Sequence, residues 1–72
     1  MKIEIEIPDH EIELVNEFLA STHGIEFCSL GPLDLEKMIR MLVSDVALMV
    51  RRPGSWEGAN MAQVMHAHGY PF

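Results

Sequence analysis

Four histidines, one cysteine and eleven acidic residues are the side chains that could carry chemistry in this chain of 72 residues, and their spacing decides how much they can do. His66 and His68, with Cys28, His10 and His23, offer the imidazole and thiolate donors that zinc takes. There is no Cys-x-x-Cys or His-x-x-x-His pair, however, and residues two apart on a helix point in different directions, so neither a metal nor another cofactor is expected. A Cys–His nucleophile would need a third group to orient its base. None is recognisable around Cys28, whose neighbours Phe27 and Leu30 suggest a buried, inert thiol. Carboxylates crowd the amino end, but two of them divide the roles of acid and base only when a pocket separates their pKa values. These alternate along a polar face. GSWEG follows a helical pattern rather than a strand and lacks the glycine and lysine spacing of a phosphate loop. The expectation is a protein that is not an enzyme.

Binding is better represented. The net charge is −6, and residues 1–26 carry all of it: Glu4, Glu6, Asp9, Glu11, Glu13, Glu17 and Glu26 stand against Lys2 alone, while residues 27–72 balance four acids with Lys37, Arg40, Arg51 and Arg52. Such an amino-terminal third repels phosphate, because nucleic-acid affinity comes largely from cations that displace counterions. It suits a basic protein surface instead, and equally it could serve only to keep the chain soluble. Glu4, Glu6, Glu11, Glu13 and Glu17 are the candidate partner-binding acids. Trp56, in a glycine-flanked segment close to Arg51 and Arg52, adds the residue types most enriched in binding hot spots. Its bland alternative is a lid folded over the core.

The elements that must position these residues follow from periodicity. Met1 to Ile7 alternates, with Ile3, Ile5 and Ile7 on one face and Lys2, Glu4 and Glu6 on the other, which predicts a half-buried strand ended by Pro8. Asp9 then caps a helix to about Thr22, its inner face formed by Ile12, Val15 and Leu19 and widened by Leu14 and Phe18, with Gly24 as the left-handed stop. Residues 25–30 fit either a short strand or an extended connection. A second helix runs from about Leu35 to Arg51, capped by Asp34 and stapled by Leu33 on Met38. Arg51 and Arg52 complement its carbonyl end, and Pro53-Gly54 stops it. A last helix is expected from Met61 to about His68, with Asn60 and Gln63 as a capping box and Gly69 as its left-handed end, Tyr70 packing back on Met65.

Size adds a constraint. A single small domain of this length buries a modest share of its surface and usually needs a disulfide, a metal or a partner. One cysteine excludes an internal disulfide, so a homodimer is the expected remedy. Its interface is expected on the second helix, whose apolar residues exceed what one sheet face and one short helix can cover: Ile39, Met41, Leu42, Val46, Leu48 and Met49. The absence of a long apolar run predicts no membrane association, and the cysteine usage with no recognisable signal peptide predicts a cytoplasmic location.

The segments KIEIEIPDHEIELVNEFLA and LDLEKMIRMLV resemble the ribbon-helix-helix proteins, dimeric bacterial and phage repressors and antitoxins, over somewhat under half of the chain. That resemblance implies paired amino-terminal strands whose outer residues, here Lys2, Glu4 and Glu6, read the major groove. Two of those three are acidic, and the connection from Gly24 to Asp34 is longer than the family's turn. The carboxyl-terminal RRPGSWEGANMAQVMHAHGY looks like segments of small uncharacterised proteins of transposable bacteriophages, which implies an accessory factor that blocks a host protein. Together these observations predict an α+β fold, a short amino-terminal β-strand followed by two or three α-helices (β-α-(β)-α-α), in a dimer. The expected function is an acidic, non-enzymatic protein-binding module, an inhibitor of a basic host protein of the anti-defence or DNA-mimic type. The alternative is a DNA-binding regulator or antitoxin, with Arg51, Arg52 and Lys37 on phosphates.

Overall fold

The computed structural model describes residues 1–23 and 31–72. Among these the elements are α1 (Asp9–Ser21), α2 (Leu35–Arg51) and α3 (Trp56–Ala67), with no strand and no sheet. The expected α+β fold is therefore corrected to an all-helical one. Residues 1–8 contain no strand: Ile3 and Ile5 are exposed and only Ile7 is half-buried. The physical reason is that alternation sorts side chains onto two faces but supplies no hydrogen-bonded neighbour. A strand exists through its ladder to another strand. The possible strand at 25–30 and the expected stop at Gly24 lie outside the described residues.

The chain divides into two units, Met1–Leu35 and Glu36–Phe72. In the first, the Pro8 carbonyl starts α1 by accepting from the Glu11 and Ile12 amides at 3.0 and 3.1 Å. Pro8, with φ −56° and ψ 138°, occupies the capping position, and Asp9, expected as the cap, is the first helical residue. Asp9 and Glu11 still lie beside the positive end of the helix dipole. One line of α1, Ile12, Val15 and Leu19, turns inward; Leu19 is 6 % exposed. At the other end the Thr22 hydroxyl donates to the Leu19 carbonyl at 2.7 Å and accepts the Leu33 amide at 2.8 Å. This one side chain ties the end of α1 to the segment leading into α2.

The second unit is built by close approach of backbones. α2 has the expected bounds, and after it the Ser55 amide donates to the Arg52 carbonyl at 2.9 Å, closing a turn whose second residue is Pro53. The Ser55 hydroxyl accepts the Gly58 amide at 3.1 Å and so caps α3, which begins at Trp56 rather than Met61. The expected box at Asn60 is corrected accordingly: Asn60 is inside the helix and its amide donates to the Trp56 carbonyl at 2.8 Å. Serine suits this position because its short side chain reaches back to the free amides of the first turn. Gly58 is buried, and a β-carbon there would come within 2.8 Å of the Leu48 carbonyl oxygen and 2.9 Å of that of Arg52. Only glycine lets α3 come so close to α2.

The far end of α3 follows the expectation. Gly69 has φ +89°, its amide donates to the His66 carbonyl at 3.0 Å, and the Tyr70 amide donates to the Met65 carbonyl at 2.9 Å. These two bonds are a Schellman motif, which a glycine in the left-handed region permits. The Tyr70 ring itself is exposed.

Candidate protein-binding surfaces

The residues that fold each unit leave other residues unused. Around α1, a step of 100° per residue sets Leu14 and Phe18 well away from the line of Ile12, Val15 and Leu19. They are 65 % and 55 % exposed, so the expectation that they widen the buried face is corrected. Spaced i and i+4, they form one apolar pair on the outside of the helix. Glu11 and Glu17 stand one turn before and after Leu14, both exposed, and Glu13 is exposed on another side. Glu4 and Glu6 are exposed in the segment that leads into the helix. Lys2, Glu4 and Glu6 thus share no ribbon in this chain.

The electrostatic division follows the structural one. In the unit Met1–Leu35, eight acids against Lys2 give a net −7, whereas in Glu36–Phe72 three acids against Lys37, Arg40, Arg51 and Arg52 give +1. Within the second unit Arg40 reaches Glu36 at 3.4 Å, a pair about three-quarters exposed on both sides. An ion pair so exposed contributes little, since water and salt screen it. Arg51 and Arg52 are exposed and form no ion pair among the described residues.

Trp56 is not a lid. It is the first residue of α3 and 80 % exposed, because the Ser55 cap places it at the start of the helix, where Gly58 and not Trp56 faces α2. Of the residues expected at a dimer interface, Ile39, Met41 and Leu42 are exposed, Val46 and Leu48 are half-buried, and Met49 is buried at 6 % exposure. Val43 and Val50, which were not among them, are more open than any of these. Their signal in the sequence was the three–four spacing with Ile39 and Val46.

Three or more His, Cys, Asp or Glu side chains do not converge anywhere among the described residues as a cation site. A surface depression of ≈ 300 Å³ is lined by Ala62, Gln63, His66, Ala67 and Phe72, with His66 its one ionisable side chain. His68 is engaged elsewhere, its Nδ1 lying 2.7 Å from the Val64 carbonyl. Among the described residues no helix is long and apolar enough to cross a membrane. Comparison with protein-family models, with curated proteins and with solved structures returned no match.

Proposed function

We propose that this chain is an acidic protein-binding module that occupies a cationic surface on another protein, and that α1 with the segment before it is its contact element. The observation that carries this reading is the placement of Leu14 and Phe18 on the outside of α1, with Glu11 and Glu17 one turn to either side of Leu14, in a unit of net charge −7. An amphipathic helix laid in a groove is recognised through apolar anchors one turn apart. Carboxylates around such anchors steer the encounter with lysines and arginines, and aromatic and aliphatic side chains buried at the centre give the contact its strength. A surface that attracts such a partner also competes with nucleic acid for it. Inhibition of a nucleic-acid-binding or defence protein, in the manner of a DNA mimic, is the role this suggests, in keeping with the resemblance of the carboxyl-terminal segment to small phage proteins.

Affinity capture from host lysate tests the reading, using the intact chain beside two variants. In Glu11→Gln/Glu13→Gln/Glu17→Gln the captured protein should elute at lower salt, and its binding should vary less with ionic strength. In Leu14→Ala/Phe18→Ala affinity should fall by about tenfold or more with the salt dependence retained. Equal capture by all three chains would rule out α1 as the contact element.

A further inference from the structure

We propose that the contact made by α1 is switched by pH through His10, an inference that rests on the α1 reading above and names its regulation. Side chains at four-residue intervals on a helix line up as a ridge, and His10, Leu14 and Phe18 form one along the outside of α1. All three are exposed. Such a ridge is what a helix inserts into the groove of a partner, so the imidazole enters together with the two apolar anchors. The His10 ring has no hydrogen-bond or ion-pair partner among the described residues. No contact of its own chain has to be broken for it to dock.

The direction of the switch follows from what the ridge meets. In a cationic groove an imidazolium is disfavoured twice, by loss of water and by the like charge of the surrounding lysines and arginines. A neutral imidazole escapes both penalties. Docking therefore selects the neutral ring and expels the proton from any chain that carries it, so affinity falls as the pH drops through the histidine range. The charged groups around His10 are of types that ordinarily titrate outside that range. Asp9 and Glu11 adjoin it, Glu13 and Glu17 follow three and seven residues on along the same side of α1, and Lys2, Glu4 and Glu6 lie in the segment before the helix. His23, the other histidine of this unit, is exposed beyond the end of α1 and off the ridge. It therefore separates an effect of the ridge from an effect of net charge.

Fluorescence anisotropy on the full chain tests the switch, with a synthetic amphipathic helix of leucine and lysine as the probe. That probe offers an apolar stripe bordered by cations and keeps its charge between about pH 8 and about pH 6. Across this interval the affinity of the wild type should fall about threefold or more, that of His10→Gln should stay constant, and His23→Gln should respond as the wild type does. Leu14→Ala/Phe18→Ala separates the two readings. If the wild type fails to bind the probe, or this double variant binds it equally well, the α1 reading fails and the switch fails with it. If Leu14 and Phe18 matter but the wild type is insensitive to pH, or His10→Gln keeps the dependence, or His23→Gln removes it, the switch is overturned and the α1 reading stands.

Discussion

The two units of this protein solve the problem of small size in opposite ways. Met1–Leu35 holds one helix by the hydroxyl of Thr22 and a short apolar line, and displays nearly all of the charge. Glu36–Phe72 pairs two helices through a backbone approach at Gly58 and is close to neutral. Buried apolar side chains are scarce in both, Leu19 in one and Met49 in the other among the described residues. The difference teaches what each surface can meet. A surface of net −7 repels its own copy and attracts a cationic one, while a neutral apolar helix face can accept a like face.

The comparison can be broken most forcefully at Gly58. Gly58→Ala drives a β-carbon against two carbonyl oxygens, so it should cost about 1–3 kcal/mol despite alanine's better helix propensity. In a domain of this size each 1 kcal/mol lowers the melting temperature by roughly 4–8 °C, which calorimetry or thermal circular dichroism reads directly. Gly54→Ala is its control, because the space there is open and the effect should be near zero. A Gly58→Ala chain as stable as the wild type would mean that the close approach does not hold the second unit.

Smaller effects sharpen the same contrast. Ser55→Ala removes the cap of α3 and should cost about 1 kcal/mol, measured by urea denaturation. Thr22→Val leaves the Leu33 amide without its acceptor and should cost about 0.5–1.5 kcal/mol, in keeping with a partly exposed hydrogen bond. Amide exchange at Leu33 should quicken in Thr22→Val and remain unchanged in Ser55→Ala. Equal responses at that amide would show that the Thr22 tie does not hold the first unit.

How much was legible depended on how local the determining interaction is. The bounds of α2 could be read because its apolar period, its basic end and Pro53-Gly54 all act within a turn or two of one another. The left-handed Gly69 could be read for the same reason. The start of α3 was misplaced because Asn60 and Ser55 are both good caps, and the choice depends on whether Gly58 can meet α2. The amino-terminal strand failed on a different ground. Its alternation is real, but pairing is a property of two segments, and none beside it among the described residues supplies the ladder. At the candidate surfaces the acids were evident as charge, whereas Leu14 and Phe18 were misassigned to the core because an apolar residue next to an apolar line looks like part of it.

By itself, then, the sequence determined the helical stretches, the amino-terminal concentration of negative charge and the small supply of groups able to do chemistry, all of which depend on residue type and near neighbours. Only the tertiary structure decided which apolar residues are covered. Burial is a relation between distant segments: Gly58 turns inward because the Leu48 and Arg52 carbonyls are there to meet it, and Leu14, Phe18, Val43, Val50 and Trp56 remain outside because nothing in the described chain comes to cover them.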